Sequence, residues 1–96
     1  MAYRPSHRQL DYAVALAETG HFGLAARRCH VSQPTLSVQI AQLEANLGVA
    51  LFERIPGRVQ TTAVGARVVE AARRVLLSLD DLVTTAASGA HNLGGL

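Results

Sequence analysis

A short run near the middle of the chain carries the side chains best suited to chemistry with another molecule. It combines polar groups with small apolar ones, in the order Ser32, Gln33, Pro34, Thr35, Ser37 and Val38. A glutamine amide can bond adenine at two positions, hydroxyls can bond bases or phosphates, and an apolar side chain can contact a thymine methyl group. Backbone amides that follow a serine cap also attract phosphate. The run therefore predicts a surface that reads the base edges of DNA.

Two arginines that flank a turn form a second set of candidate contacts. Arg54 and Arg58 stand on either side of Pro56-Gly57, which separates two short segments, residues 49–54 and 59–62. Short segments joined by a Pro-Gly turn predict a two-stranded hairpin. Arginines at a hairpin tip can reach phosphates or enter a narrow minor groove. We therefore predict DNA contacts at Arg54 and Arg58.

Catalytic and metal-binding groups are sparse in the sequence. It shows no carboxylate pair arranged for acid–base catalysis, no nucleophile with an adjacent base and no glycine-rich phosphate loop. His21, Cys29 and His30 match no standard zinc spacing, and Cys29 is most simply a small core residue. We therefore predict no enzyme activity, no catalytic residue, no metal and no cofactor.

The composition fits one small domain with a modest positive charge. The chain has 96 residues, of which 49% are hydrophobic and 17% charged, and its net charge is +2. Six arginines and four acidic residues place that charge in residues 1–62, as a nucleic-acid partner would favour. Charged residues interrupt the longest apolar stretch, and a lone cysteine with no signal-peptide pattern suggests a reducing compartment. We predict a cytoplasmic protein that makes no membrane contact.

Two helices are predicted before the polar run. The first begins at the Ser6–Gln9 capping box and ends near Gly20. Its apolar stripe consists of Leu10, Ala13, Val14 and Ala17. The second covers about Phe22 to His30. Its inward face consists of Phe22, Ala25, Ala26 and Cys29.

The polar run itself begins a third helix. Ser32 is its N-cap, Pro34 lies in its first turn and Gly48 ends it. Its buried face is predicted to consist of Leu36, Ile40, Leu43 and Leu47. Two helices joined by a tight turn, the second starting with small polar residues, indicate a helix-turn-helix. The third helix would then enter the major groove, with the hairpin beside it as a wing.

A long helix follows the hairpin, capped by Thr62 and extending from Ala63 to about Ala87. Its apolar stripe extends further than the core of this chain can cover, so we predict that the helix pairs with a second copy of the chain. The predicted dimerisation residues are Val68, Ala72, Val75, Leu79 and Leu82. The fold class is thus mainly α, a winged helix-turn-helix with a long C-terminal helix. We divide it into a DNA-binding domain at 1–62, a linker helix at 63–88 and a hinge at 89–96.

One extended pattern across these elements resembles a known family. It runs Gly20-His21-Phe22, Ala25-Ala26, His30-Val31-Ser32-Gln33-Pro34-Thr35-Leu36-Ser37, Gln39-Ile40, Leu43-Glu44, Leu47-Gly48-Val49, Leu51-Phe52-Glu53-Arg54, Thr62 and Gly65. Over residues 7–87 it closely resembles the N-terminal DNA-binding domain of LysR-type transcriptional regulators. The stretch from Cys29 to Ser37, with His21-Phe22, looks most like the peroxide-responsive members.

The resemblance implies a sequence-specific regulator of transcription. Family members bind interrupted palindromes, dimerise through the long helix, commonly form tetramers and carry a C-terminal effector domain. The resemblance places Gln33, Pro34 and Ser37 in the major groove, with Thr35 close by. It also matches Arg58 to an arginine in the wing of family members. An effector domain is expected beyond this chain.

Two positions depart from the family pattern. Val38 replaces an arginine that many members carry, and Pro56-Gly57 replaces a more basic wing tip. Two alternatives stay open: a winged-helix module that binds another protein, or a DNA-binding domain like that of molybdate-responsive repressors.

Overall fold

A computed structural model describes the backbone of residues 3–94 and the side chains of residues 3–90. Three helices come first, α1 (His7–Thr19), α2 (Phe22–Arg28) and α3 (Gln33–Leu47). A hairpin of β1 (Phe52–Ile55) and β2 (Arg58–Thr61) follows, and then the long helix α4 (Ala63–Gly94). The molecule measures 59 × 33 × 20 Å because α4 projects from the rest. This architecture is the predicted winged helix-turn-helix with a long C-terminal helix.

The core lies where α1, α2 and α3 meet the hairpin. Its largest fully buried side chains are Leu16, Leu36, Leu43 and Leu51. The inward face predicted for α2 is confirmed, since Ala25 and Ala26 are buried and Phe22 and Cys29 pack partly against the core. The buried face predicted for α3 is wrong at Leu47. This residue is exposed, because the buried part of α3 ends one turn earlier.

Helix α1 begins as predicted but presents a different face. The capping box is present, with the Ser6 hydroxyl accepting from Gln9 N and the Gln9 side chain accepting from Ser6 N. The predicted stripe is partly wrong, because Val14 and Ala17 are only half-buried. Tyr12, Ala15 and Leu16 fill the core together with Leu10 and Ala13. Helix α1 packs against α4 as well as α2 and α3, so its buried face is wider than the stripe.

The turn of the helix-turn-helix is held by backbone geometry. Helix α2 ends at Arg28 rather than His30, because His30 adopts a left-handed conformation with φ +58°. Val31 N donates to Ala26 O at 3.0 Å, which closes the turn. Ser32 then caps α3, accepting from Thr35 N at 3.2 Å. These hydrogen bonds in the turn fix the direction in which α3 begins.

Helix α4 starts as predicted and ends later. The Thr62 hydroxyl accepts from Gly65 N at 2.9 Å, which confirms the cap. The predicted end near Ala87 is wrong, because the helix continues through Ser88 and Gly89 to Gly94. A single glycine costs a helix only about 1 kcal/mol relative to alanine, too little to end this one. Residues 95–96 of the predicted hinge lie outside the described residues.

Within the described residues, no helix is both long and apolar enough to cross a membrane.

Candidate nucleic-acid interface

The start of α3 presents its side chains to solvent. Gln33, Pro34 and Thr35 are exposed, and Val38 follows one turn later with 53% of its surface accessible. The Ser32 hydroxyl donates to Thr35 Oγ1 at 2.9 Å, so these two residues form a fixed polar pair at the helix end. The opposite face of the same helix is buried through Leu36 and Ile40. This arrangement gives α3 one anchored face and one free face.

The wing brings its two arginines to the same side of the molecule. The strands pair antiparallel, with Ile55 opposite Arg58, and Pro56-Gly57 forms the turn, where Gly57 has φ +82°. The Arg54 guanidinium carbon lies 4.6 Å from the centre of the Phe22 ring, a cation–π contact that holds the side chain in place. Both arginines line a groove of about 390 Å³.

That groove lies between the wing and α3. Its wall includes Gln33 from α3, Arg54 and Arg58 from the hairpin, and His21 before α2. Ser37 is half-buried and lines a separate groove beside Phe52 and Arg54. The structure thus brings Gln33, Arg54 and Arg58 together and sets Ser37 deeper, between α3 and the wing.

A carboxylate attaches the wing to α3. Glu44 Oε2 accepts from Leu51 N at 2.7 Å and from Phe52 N at 3.2 Å. The hairpin is also joined to α1, since Val59 N donates to Gly20 O at 2.8 Å. Sequence reasoning missed the role of Glu44. An acidic residue in the last turn of a helix, where the dipole disfavours negative charge, was the available signal.

A hydrogen bond from α1, which the sequence pattern did not predict, also supports α3. Gln9 Nε2 donates to Gln39 Oε1 at 3.2 Å, and Gln9 Oε1 accepts from the Tyr3 hydroxyl at 2.8 Å. Gln9 is largely buried. Its side-chain amide both caps α1 and links α1 to α3. The position of α3 thus depends on polar contacts from α1 as well as on the apolar core.

The lone cysteine shows no sign of activation. Cys29 is half-buried, and its Sγ lies 3.9 Å from Asp11 O. Burial and the nearby Asp11 charge raise the pKa of the Cys29 thiol. A raised pKa disfavours the thiolate, which is the reactive form. Among the described residues, no three His, Cys, Asp or Glu side chains form a group that could hold a metal ion.

The residues predicted for dimerisation divide into two groups. Ala72 is only 2% exposed and Val68 packs partly against the core, so both face their own domain. Val75, Leu79 and Leu82 are exposed by 46%, 40% and 64%. Ala72 therefore has almost no surface to offer a partner, because α4 uses that position to pack against α1.

Residues 7–66 match the family model described as bacterial regulatory helix-turn-helix protein, lysR family. The match covers more than half of the chain, and the helix-turn-helix lies wholly within it. The chain therefore belongs to the LysR family of bacterial regulators, as the sequence pattern indicated.

Individual relatives agree with this assignment. The chain is 49% identical over 88 residues to a hydrogen peroxide-inducible genes activator of Pectobacterium carotovorum, covering 92% of this chain and 29% of the relative. It is 54% identical over 69 residues to the regulator ClcR of Pseudomonas putida, covering 72% of this chain and 24% of that protein. The chain thus spans less than a third of the length of either relative.

A solved structure gives the same fold in contact with DNA. The DNA-binding domain of CbnR, determined as a complex with DNA, superposes with a TM-score of 0.82 at 41% identity. The similarity covers 88% of this chain and 98% of that one.

Proposed function

We propose that this chain is the DNA-binding part of a sequence-specific transcription regulator. Helix α3 would enter the major groove, and the hairpin would contact phosphates or the minor groove beside it. The proposed contacts are Ser32, Gln33, Pro34, Thr35, Ser37, Val38, Arg54 and Arg58. Family membership and the DNA complex of the CbnR domain support this function.

The observation that carries the proposal is the shared groove of α3 and the wing. Gln33 can recognise a base, and Arg54 and Arg58 can neutralise phosphates. The side chains of a helix can read bases only when neighbouring contacts to the DNA phosphates fix the position of the helix in the major groove. Here both kinds of contact lie on one side of the fold, on elements that Glu44 joins.

The exposed α4 face indicates a homodimer as the binding species. Val75, Leu79 and Leu82 follow one another at helical spacing of four and three residues and are all exposed. Two copies joined along this face would present two recognition helices to one DNA duplex. An interrupted palindrome is the expected target, because two-fold symmetry in the protein matches two-fold symmetry in the site.

The proposal also includes the parent protein. A C-terminal effector domain would supply the signal, and the parent would assemble further, as a tetramer. The DNA-binding domain would comprise residues 1–62 and the linker helix residues 63–88, with α4 continuing into the predicted hinge. We assign it no catalytic role, and a regulator of bacterial transcription would act in the cytoplasm.

Selection of bound DNA from a random-sequence library tests the function. We expect enrichment of a site with two related half-sites separated by a fixed spacer. A mixture of unrelated sequences, with affinity that depends only on salt, would contradict sequence-specific recognition. Absence of DNA affinity even at low salt would instead favour a protein-interaction module.

A further inference from the structure

One carboxylate lies where three helices meet. Glu18 belongs to the last turn of α1, and its Oε1 accepts a hydrogen bond from Arg28 Nη1 at the end of α2. Its Oε2 accepts from Arg73 of α4, at 3.0 Å from Nη2 and 3.3 Å from Nε. Arg73 Nη1 also donates to Glu70 within α4. Glu18 therefore links the helix-turn-helix to the long helix through its two oxygens.

We propose that Glu18 is a positioning residue for DNA recognition, which fixes the direction in which α4 leaves the helix-turn-helix. This inference rests on the proposed function, because that direction matters when α4 joins two copies on one duplex. Glu18 itself would touch no DNA. Its effect would be on the distance between the two recognition helices.

The apolar contact between α1 and α4 leaves this direction incompletely determined. Val69 and Ala72 are the buried residues of α4 near Arg73, and their small side chains hold the helices together. Crossing angles vary by about 15–20° from one helix pair to another, so an apolar contact through small side chains does not by itself specify one angle. Arg73 Nη2 and Nε both donate to one oxygen of Glu18, Oε2, and a hydrogen bond between charged groups depends on distance and angle, so it restricts the direction of α4 further.

The charges at this junction suit a permanent link. Hydrogen bonds from Arg28 and Arg73 hold the pKa of the Glu18 carboxyl below its ordinary value. The same contact raises the pKa of Arg73. Glu18 and Arg73 are therefore ionised at neutral pH, and the carboxylate lies between the guanidinium groups of Arg28 and Arg73.

The distance from Arg73 to the proposed pairing face makes a small change of angle matter. Leu82, on that face, lies nine residues beyond Arg73, which is about 14 Å along a helix. A rotation of about 10° would move this part of the helix by about 2.4 Å, and the displacements of two copies add to about 5 Å. Neighbouring base pairs are separated by about 3.4 Å. Loss of the link would therefore admit half-site separations that differ by more than one base pair, which weakens the preference for a single spacer.

We expect removal of the Glu18 carboxylate to have little effect on the free energy of unfolding. The side chains of Glu18, Arg28 and Arg73 are 39%, 49% and 37% exposed. Ion pairs with this exposure contribute little to folding, because water and salt screen them. A variant without the carboxylate should therefore fold normally and recognise the same half-site.

The test measures spacer preference with a library in which the selected half-sites are separated by spacers that differ by one base pair. The 96-residue chain is compared with Glu18→Gln and with Arg73→Gln, which breaks the same link from α4. We expect the ratio of affinities for the best and the adjacent spacers to fall by about two- to fivefold, the range that exposed ion pairs span. Affinity for a single half-site should not change.

Glu70→Gln is the matched control. It removes the other carboxylate that contacts Arg73, with the same change of charge, but it breaks no link between elements. Its spacer preference should equal that of the unmodified chain. Unchanged spacer preference in both Glu18→Gln and Arg73→Gln would overturn the proposal, as would a loss of half-site sequence preference in Glu18→Gln. Failure of the unmodified chain to select any sequence would reject the proposed function itself, which is a different result.

Discussion

Gln33 and Arg58 border one groove but offer DNA different chemistry. The amide of Gln33 can donate and accept, so as a base contact it would distinguish one base from another, whereas the guanidinium of Arg58 would attract any phosphate. The α3 face around Gln33 carries no charged side chain from residue 32 to residue 42. Specificity and salt-dependent affinity are therefore expected to reside on separate elements, and substitutions should separate them.

Gln33→Ala should lower specific binding with little effect on nonspecific binding. A base contact contributes about 1–3 kcal/mol of discrimination, so the preference for the selected half-site should fall about tenfold. Gel shifts at constant salt, with selected and scrambled duplexes, measure the ratio. Gln42→Ala is the control, because Gln42 is an exposed amide further along the same helix. Equal losses on both duplexes would refute a base-reading role for Gln33.

Arg58→Ala should weaken binding to selected and scrambled duplexes alike. Removing one phosphate contact reduces the slope of log affinity against log salt by about 1. Titrations over a series of salt concentrations give this slope. Arg74→Ala, an exposed arginine on α4, removes the same charge away from the groove and should leave the slope unchanged. An unaltered slope for Arg58→Ala would remove it from the proposed contacts.

The Glu18 link should depend on pH in a predictable direction. Because its pKa is lowered in the folded chain from the ordinary 4.5, its contribution to stability is complete above that value. The contribution is lost as pH falls through the lower pKa of the folded state. Glu18→Gln should thus be less stable than the unmodified chain at neutral pH, by at most about 1 kcal/mol. Urea denaturation at several pH values should show the two converge in acid; a constant difference would contradict this.

The close approach of α4 to the segment before the hairpin depends on one glycine. A Cβ built at Gly65 would lie 1.8 Å from Leu51 O, and Thr62 N donates to that same oxygen at 2.9 Å. No side chain fits there unless the backbone moves. The wing and the long helix therefore form a single joint at the start of α4.

Gly65→Ala should destabilise the chain even though alanine favours helix. Overpacking typically costs about 1–3 kcal/mol; a Cβ 1.8 Å from a backbone oxygen belongs in the upper part of that range, above the gain in helix propensity of about 1 kcal/mol. Gly89→Ala is the control on the same helix, because its Cβ would meet open space, and it should stabilise the helix slightly. Thermal unfolding measures both. A Gly65→Ala variant as stable as the unmodified chain would show that the joint can move.

The elements were predictable where local chemistry decides them. Ser6, Ser32 and Thr62 cap helices, and the Pro56-Gly57 turn forms the hairpin, since each needs only its near neighbours. The exposed start of α3 followed from the same spacing. These local signals predicted both the winged helix-turn-helix and the exposed face at the start of α3.

Contacts between distant parts of the chain were not predictable. Glu18 lies 55 residues from Arg73, and the Gln9–Gln39 bond spans 30 residues, so no local period reveals them. The packing of α4 on α1 likewise buried Ala72, which spacing alone had assigned to a partner helix. Helical periodicity identifies an apolar face, but the tertiary fold decides which part of that face is covered.

Dimerisation should depend on the outer part of α4. Leu82→Ser is expected to reduce dimer formation, because Leu82 is 64% exposed on the face shared with Val75 and Leu79. Leu77→Ser is the control, since Leu77 is 62% exposed but lies on the other side of the helix. Sedimentation equilibrium measures the association constant, which we expect to fall at least tenfold for Leu82→Ser, equivalent to about 1.4 kcal/mol. Equal effects of the two substitutions would argue against this face.

The projecting helix also affects how the molecule behaves on a gel-filtration column. Its radius of gyration is 16.1 Å, whereas a compact chain of this length would have about 12–13 Å. A rod-like particle has a larger Stokes radius than a sphere of equal mass, so a single protomer will elute early, at a volume that calibration with globular standards would assign to a heavier species. Elution volume would therefore overstate the oligomeric state, and light scattering or sedimentation should be used to count the subunits.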